Sequence, residues 1–399
     1  MLLRFRVTNF ASIRDEQELS MIALDDHAEL ATAAVPLTKE RVLPAVGVFG
    51  PNASGKSNLV KAMDFAKAAV VQSHQHWLPE QPIPRWPFRL DPESKVAPSE
   101  FVIEFVHDQV RYEYGFAVDD SAVREEWLFS WPKGRRSVLF ERVGMEVVFG
   151  PSLRGTKAAI ADLVRENSLF ISAAAANNQA HLRSVAASFG RWRRVETQGH
   201  QPLPRDPLDE ETMSLLRYAD VGVIGSAMVD SSPGEPRFEL IHKAETEGGG
   251  ETLPWLWESS GTQAWLRLSP FVMSSLREGT ILMIDDLGGD LHPLLTAQLV
   301  GLFQDRETNP NGAQLVFTGH DVNLLGRHVE SRLRRDQVWL TDKGPGGATK
   351  IYPLTEYGRV RDGVDDVEGR YLRGRYGAVP FFDKSLLSAL LQEPERHGS

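Results

Sequence analysis

The sequence predicts an α/β fold that combines a mixed sheet, an antiparallel β subdomain and a helical insertion. A β-branched run at 41–50 leads through a glycine-bearing loop into a helical period at 56–72. Apolar and polar residues alternate between 101 and 149, and from 264 onward helical and strand patterns take turns. Strands that alternate with helices are typical of a mainly parallel sheet, whereas period-two stretches with short turns are typical of an antiparallel meander.

The opening segment MLLRFRVTNFASIRDE is predicted to be the first strand, because its arginines alternate with apolar residues. No uninterrupted apolar run reaches the ~18 residues that a membrane span needs. We therefore expect neither a signal peptide nor an anchor, and no membrane partner. The stretch 73–99 is rich in Pro, Trp and Gln, which predicts an irregular segment.

The pattern becomes helical between 150 and 225, which predicts the helical insertion, and AETEGGGE at 244–251 is predicted to be a flexible linker. The elements predicted for the second half are helix 264–277, strand 280–285, helix 293–304, strand 314–318, a further helix, and strands 337–341 and 349–353.

The composition is that of an ordinary globular protein, with 399 residues, 42% hydrophobic and 25% charged. The absence of cysteine excludes disulfides, thiolate zinc sites and cysteine nucleophiles, and agrees with the reducing cytoplasm in which we expect the protein. A net charge of -10 argues against a protein that coats nucleic acid by bulk charge. Arginine clusters at 191–194 and 332–335, and arginines interleaved with tyrosines at 368–382, keep DNA as a candidate partner.

The strongest chemical signal is GPNASGKS, which matches G-x-x-x-x-G-K-[ST] without a gap. In this motif the backbone N–H groups of the loop and the start of the next helix face phosphates, and the final hydroxyl reaches magnesium. The sequence therefore predicts that ATP and Mg²⁺ bind here, with Ser57 as a metal ligand. The residues predicted to contact the nucleotide are Gly50, Pro51, Asn52, Ala53, Ser54, Gly55, Lys56, Ser57 and Asn58.

A second signal is GTILMIDD, an apolar strand that ends in two adjacent carboxylates. Two such charges are costly to leave unpaired at the end of a buried strand, so a cation is expected between them and the substrate. We expect Asp285 to hold Mg²⁺ through water and Asp286 to face the attacking water.

Two weaker signals complete the set. Small hydroxyl residues and glycine start an apolar-periodic helix in ESSGTQAWLRL, where they could form an anion site or a plain helix cap. His320 follows the strand that ends at Thr318, where it could contact a γ-phosphate or be purely structural. The residues nominated in the first of these segments are Ser259, Ser260, Gly261, Thr262 and Gln263.

In this order and spacing, the four motifs resemble the ABC-type ATPase superfamily, in the branch with SMC proteins, break-repair ATPases and OLD-like bacterial ATPases. LLRFRVTNFASIRD, ENSLFISAAAANN and RYLRGRYGAVP are similar to stand-alone AAA/ABC ATPases found beside bacterial abortive-infection and phage-defence genes. The resemblance implies an ABC ATPase-like P-loop NTPase fold. Its predicted parts are the N-terminal half of the ATPase domain at 1–149, the helical insertion at 150–225, the C-terminal half at 226–356 and a C-terminal tail at 357–399.

The resemblance also implies a head-to-tail homodimer, or a higher oligomer, that closes around two ATP molecules. Ser260 and Gly261 of one subunit would cap the γ-phosphate bound by Lys56 of the other, and catalysis would depend on Lys56, Asp286 and His320. A separately encoded effector, such as a nuclease or toxin, is expected as a partner. OLD-like relatives carry a nuclease after the ATPase, but only 79 residues follow His320, so we expect no nuclease fused in this chain.

The sequence departs from this family at two places near the aspartate-ended strand, and in a lesser change Gly319 stands where threonine is usual beside His320. Asp286 stands where glutamate is usual, and Gly288, Gly289 and Asp290 stand where DAS is usual. Aspartate is one methylene shorter, and a displacement of about 1 Å at a reacting centre costs on the order of 10²-fold in rate. We therefore expect slow hydrolysis. The glutamine loop of the family has no clear counterpart, and Gln81 and the stretch 87–91 are nominated for it.

Two functional hypotheses follow. The first is a dimerising ATPase that acts as sensor or regulator of a bacterial defence module. The second is a nucleotide-gated DNA- or protein-binding scaffold in which hydrolysis is vestigial. A ring-forming AAA+ motor is disfavoured by the SSGTQ helix start and by the lack of an evident arginine finger.

Overall fold

The computed structural model describes residues 1–380 except 26, 198–203, 205, 220–221, 231–235, 245–248, 330 and 359–364. The strands are β1 (Leu2–Thr8), β2 (Gln17–Ser20), β3 (Ala33–Ala34), β4 (Arg41–Val42), β5 (Ala45–Phe49), β6 (Ser99–His107), β7 (Val110–Val118), β8 (Val123–Ser130), β9 (Ser137–Val143), β10 (Glu146–Phe149), β11 (Arg193–Glu196), β12 (Val223–Asp230), β13 (Pro236–Lys243), β14 (Gly250–Pro254), β15 (Ile281–Leu287), β16 (Gln314–Gly319), β17 (Val338–Lys343) and β18 (Thr349–Pro353). The α-helices are α1 (Lys56–His76), α2 (Pro92–Val96), α3 (Ala158–Ala161), α4 (Phe170–Ala176), α5 (Ala180–Gly190), α6 (Glu210–Tyr218), α7 (Ser260–Glu278), α8 (Pro293–Gln304) and α9 (Val367–Leu372).

Two large sheets organise these elements. One is antiparallel, in the order β10-β9-β8-β7-β6-β1-β2, and the other is mixed, in the order β11-β15-β16-β5-β17-β18. All neighbours in the mixed sheet are parallel except β17 and β18. Smaller antiparallel sheets are formed by β12-β13-β14 and by β3-β4. The predicted α/β fold, with a mixed sheet and an antiparallel β subdomain, is confirmed.

Helix α1 packs between the two large sheets. Its apolar residues Leu59, Met63, Ala66 and Val70 recur at spacings of three or four, which places them on one face of the helix. They are buried in one cluster with residues of β1 and β6 from the antiparallel sheet and of β5 and β16 from the mixed sheet. Burial of each large apolar side chain contributes about 1.5–3 kcal/mol, so this helix is rigidly held where its first turn begins.

The predicted bounds of the second half agree closely with the structure, with three differences. Helix α7 starts at Ser260 rather than at 264. The further helix predicted before 337 is wrong: among the described residues of 320–337 the chain forms only two short 3-10 helices, Val322–Leu325 and Arg335–Gln337. The predicted linker 244–251 lies partly outside the described residues, and its end belongs to β14, which pairs with β13.

The segment 150–225 contains helices, as predicted, but it also contains a strand of the central sheet. Strand β11 pairs in parallel with β15, so that Arg193 lies opposite Leu282 and Glu196 lies opposite Asp285. Its sequence, RRVE, carries three charges in four residues and has no apolar run that would announce a strand. It is tolerated because it is an edge strand, where charged side chains can face solvent. The domain boundaries remain predictions.

None of the helices in the described part of the chain has both the length and the apolar character to cross a bilayer.

A buried pair, His27 and Asp336, fastens the segment after β2 to the start of β17. His27 Nε2 lies 2.9 Å from each carboxylate oxygen of Asp336, and the backbone N–H of Leu24 donates to the same carboxylate at 2.9 Å. The hydrogen bond to Asp336 raises the pKa of His27 against the opposing effect of burial, and the nearby charges of Glu29 and Asp25 act in the same direction as the hydrogen bond. The pair is therefore a protonation-dependent link.

This link predicts a pH-dependent stability. Because the pKa of folded His27 lies above the unfolded value of about 6.5, its contribution is complete below about pH 6.5 and disappears as the pH rises through the folded pKa. His27→Gln keeps an N–H donor without the charge and is expected to destabilise the protein by ~1 kcal/mol at about pH 6. The difference in melting temperature from wild type should shrink by about pH 8.5. Exposed His328→Gln is the matched control, and a difference independent of pH would contradict the link.

Candidate functional site

A cavity of 650 Å³ opens where α1 begins and where β15 and β16 end. In a parallel sheet the carboxyl ends of the strands share one edge, which brings side chains from distant parts of the chain together. The residues that line the cavity are Asn52, Ala53, Gly55, Lys56, Ser57, Asn58, Lys61, Glu196, Thr197, Asp285, Asp286, Thr318, His320 and Lys343. The cavity thus unites most of the predicted phosphate loop with both aspartates and the histidine.

The loop between β5 and α1 has the strained backbone that its glycines predict. Gly55 has φ +104° and Ala53 has φ +63°, both in the left-handed region. Lys56 extends back over the loop, and its Nζ donates to the carbonyl oxygens of Gly50 at 2.8 Å and Pro51 at 3.0 Å. Gly50 and Pro51 are therefore placed to orient the lysine, and neither lines the cavity.

Lys56 is buried, and burial lowers the pKa of its ammonium group to about 8. The carboxylates of Asp286 and Asp285 act in the opposite direction without restoring the usual value. A buried cation with incomplete compensation favours an anion beside it, and a phosphate would supply that charge.

The two aspartates are held by one hydroxyl. Thr318 Oγ1 donates to Asp285 Oδ1 at 2.7 Å and accepts the backbone N–H of Asp286 at 2.8 Å. From the sequence, Thr318 is predicted only as the last residue of strand 314–318. The sequence did hold a signal for this role, because Thr318 ends the predicted strand next to the aspartate-ended strand. Adjacent parallel strands of one sheet end at the same edge.

The chain turns sharply after Asp286, and the turn depends on glycine. Asp286 has φ +62° and Gly288 has φ +91°. A Cβ on Gly289 would lie 2.8 Å from Asp286 Oδ2, closer than van der Waals contact allows. Gly289 therefore leaves the space in which the Asp286 carboxylate lies.

His320 lies exposed at the rim of the cavity. Partial desolvation lowers the pKa of its imidazole, the positive charge of Lys56 lowers it further, and Asp286 opposes both. A neutral imidazole can donate one hydrogen bond and accept another, which suits contact with a phosphate oxygen or a water.

Strand β11 brings two unpredicted residues into the cavity. Glu196 lies on its wall, and Thr197 Oγ1 donates to the backbone carbonyl of Asp286 at 3.0 Å. Arg267 of α7 donates to the carbonyl of Thr197 at 3.1 Å. Lys61 and Lys343 complete the unpredicted lining, and among the described lining residues neither Gln81 nor any residue of 87–91 occurs.

The predicted SSGTQ segment is not part of this cavity. Ser259 caps α7 by accepting the N–H of Thr262 at 3.1 Å, and Gln263 Nε2 donates to the carbonyl of Trp255 at 3.0 Å. Ser259 and Ser260 are exposed, whereas Thr262 is buried. A single chain therefore does not bring Ser259, Ser260, Gly261, Thr262 and Gln263 to its own phosphate loop.

Ser54 also differs from its predicted place. It is buried, and its Oγ lies 2.7 Å from Thr341 Oγ1 of β17, away from the residues that line the cavity. Its side chain thus braces the loop instead of facing a ligand.

Each of the three arginine clusters contains arginines that pair with acidic residues. Arg194 pairs with Asp64 at 3.5 Å, and Arg335 pairs with Asp25 at 2.7 Å. Arg334, Arg370 and Arg373 pair with Glu29, Asp365 and Asp366 at 2.9, 2.7 and 3.1 Å. Such pairing reduces the positive field that these clusters offer to a nucleic-acid backbone.

The donor set suits magnesium. Ser57 and Asp285 line the same cavity, next to the lysine that would face the phosphates. Mg²⁺ prefers oxygen ligands and is usually held by one or two protein oxygens together with phosphate and water, which this arrangement can supply.

A family model and a solved structure are similar to this chain. A family model described as "AAA domain, putative AbiEii toxin, Type IV TA system" matches residues 46–146 and 154–326, which include the phosphate loop, both aspartates and His320. Among solved structures, the SMC head domain from Thermotoga maritima is similar, with 11% sequence identity and a TM-score of 0.39. That similarity covers 88% of this chain and 98% of the other. No curated protein matches the chain.

The pKa of Lys56 predicts proton uptake on ligand binding. A bound triphosphate should raise this pKa above about 8, so that binding at about pH 8.5 takes up a fraction of a proton and weakens as the pH rises further. Below about pH 7 the uptake should vanish, because the lysine is already charged. Calorimetric titration of magnesium-ATP in two buffers of different ionisation enthalpy measures this uptake. Lys56→Arg, whose guanidinium stays charged, should show none; equal uptake in this variant would assign the proton to another group.

Proposed function

The chain belongs to this AAA domain family and is a P-loop ATPase, and from that premise we propose that it binds ATP with Mg²⁺ in the described cavity and hydrolyses it slowly as a head-to-tail homodimer. The observation that carries this proposal is the convergence of Lys56, Ser57, Asp285, Asp286 and His320 on one cavity from three separate segments of the chain.

Each residue has a role that follows from its chemistry. Lys56 binds the β- and γ-phosphates through its buried ammonium group, and the loop N–H groups complete the anion site. Ser57 and Asp285 would hold Mg²⁺, which supplies charge neutralisation at the phosphates. Asp286 orients the attacking water, and neutral His320 contacts the γ-phosphate from the rim.

Slow turnover follows from the position of Asp286. The aspartate side chain is one methylene shorter than that of glutamate. Its carboxylate lies beside Gly289, where a Cβ would be 2.8 Å from Oδ2. Positioning of the water contributes strongly to phosphoryl transfer, so a short carboxylate favours a long-lived ATP-bound state.

The dimer is supported by the location of the α7 N-terminus. Ser259 and Ser260 are exposed there, outside the cavity of their own chain. A helix N-terminus favours an anion because of its unpaired backbone N–H groups and its dipole, and the γ-phosphate of a second subunit would supply one. Ser260 and Gly261 would then cap the ATP bound by Lys56 of the partner.

The biological role that we propose is regulation of a bacterial defence module in the cytoplasm. The family description names the AbiEii toxin and a Type IV TA system, which supports a role beside a separately encoded effector such as a nuclease or toxin.

A second candidate function is a nucleotide-gated DNA- or protein-binding scaffold with vestigial hydrolysis. The left-handed backbone and short side chain of Asp286 favour it. Steady-state turnover with Mg²⁺, with and without double-stranded DNA, separates the two candidates, since a vestigial site turns over no faster than a phosphate-loop variant.

Complementation tests the composite site. Lys56→Ala is expected to lose ATP binding and turnover, and Ser260→Arg should bind ATP but lose turnover because a large cation cannot cap the partner's phosphate. Mixing the two variants recreates one intact site per mixed dimer, so turnover should return to about a quarter of wild type.

Lys67→Ala, on α1 outside the cavity, is the control. Tight ATP binding by Lys56→Ala would refute the loop assignment, and mixing without recovery would refute the head-to-tail dimer.

The carboxylate length makes a separate prediction. Asp286→Glu should raise turnover by at least about tenfold if the short side chain limits the positioning of water. Gly289→Ala should lower turnover by about tenfold, because its Cβ displaces the Asp286 carboxylate. Steady-state kinetics measures both, with Gly346→Ala, which has open space around it, as the control. An unchanged or lower rate for Asp286→Glu would contradict this explanation of slow hydrolysis.

A further inference from the structure

Two hydroxyl groups pack closely against the phosphate-binding loop from outside the cavity. A Cβ on Gly55 would lie 2.1 Å from Thr349 Oγ1 and 2.6 Å from Ser12 Oγ. Only glycine allows such an approach, and Gly55 also has a φ of +104°. Neither Ser12 nor Thr349 is among the described residues that line the cavity, so any effect on a ligand acts through the loop.

These hydroxyls belong to a directed chain of hydrogen bonds. Thr349 Oγ1 donates its only proton to the carbonyl oxygen of Ser54 at 2.7 Å. In the 2.7 Å bond between Ser12 and Thr349, the donor must therefore be Ser12. Ser12 Oγ in turn accepts from Asn58 Nδ2 at 2.6 Å. The chain begins and ends in the loop region, and hydrogen bonds aligned in one direction strengthen one another.

The chain joins distant parts of the sequence. Thr349 is the first residue of β18 and is buried, while Ser12 lies between β1 and β2 of the antiparallel sheet. The backbone N–H of Thr349 also donates to the carbonyl of Ser12 at 2.7 Å. On the other side of the loop, the hydroxyl of Thr341 donates to the carbonyl of Phe49 at 3.2 Å and lies 2.7 Å from Ser54 Oγ. The loop is thus braced by both large sheets.

Such bracing matters because the loop conformation is costly to hold. Ala53 and Gly55 both have positive φ, and without external bonds the loop would sample other backbone conformations before a phosphate arrives. A site that is ordered before binding avoids that entropic loss at the moment of binding.

We propose that Thr349 is a positioning residue for nucleotide binding, and that the chain Asn58–Ser12–Thr349–Ser54 holds the phosphate loop in its binding conformation. This inference rests on the proposed function, because it assumes that the loop binds ATP. One hydroxyl on β18 would thus control the affinity for magnesium-ATP without contacting the ligand.

Three variants test it. Thr349→Val keeps the shape but leaves the Ser54 carbonyl and the Ser12 hydroxyl without their partner, Thr349→Ser keeps the hydroxyl, and Thr280→Val removes a buried hydroxyl that has no hydrogen-bond partner among the described residues. For Thr349→Val we expect the Kd and KM for magnesium-ATP to rise about tenfold, with kcat within about twofold of wild type. Thr349→Ser and Thr280→Val should stay within about twofold of wild type in all three constants.

The outcomes separate this inference from the proposed function. If wild type binds no ATP, the proposed function fails and the inference with it. If wild type binds ATP, then an unchanged Kd for Thr349→Val, an equal loss in Thr280→Val, or no recovery in Thr349→Ser overturns the inference alone. Should Thr349→Val fail to fold, Ser12→Ala replaces it. That variant cuts the link to Asn58 while keeping the bond to Ser54, and should raise Kd about threefold; an unchanged Kd overturns the inference.

Discussion

The burial of the Lys56 ammonium group is the interaction on which the rest of the site depends. The lysine is anchored by the carbonyls of Gly50 and Pro51, and its charge is only partly offset by the aspartates that follow β15. Burial strengthens the electrostatic interactions of this ammonium group, because little water screens its charge. The site is therefore favourable to an anion. The position of the lysine follows from α1, which is fixed between two sheets and starts at this residue.

The second constraint is the geometry at the end of β15. Thr318 holds the side chain of Asp285 and the backbone of Asp286 together, and Thr197 binds the carbonyl of Asp286 from the opposite edge. Asp286 is therefore held on both sides of its strand. Gly289 leaves the space that this carboxylate occupies, since a Cβ there would lie 2.8 Å from Asp286 Oδ2.

Bracing of the phosphate loop connects the site to both large sheets. Ser12 belongs to the antiparallel sheet's first turn, and Thr349 and Thr341 belong to β18 and β17 of the mixed sheet. The α7 N-terminus, by contrast, stands apart from the cavity of its own chain, which leaves its exposed serines available to another molecule.

By itself, the sequence determined the phosphate-loop motif, the aspartate-ended strand and the approximate bounds of most elements between 260 and 353, because each is encoded by local spacing and period. Only the tertiary structure decided that RRVE is a sheet strand that brings Glu196 and Thr197 to the cavity. It also decided that Ser54 braces the loop and that clustered arginines such as Arg335 pair with distant acids. These features depend on contacts between residues far apart in the chain, and no local pattern specifies which partner a charged or hydroxyl side chain will meet.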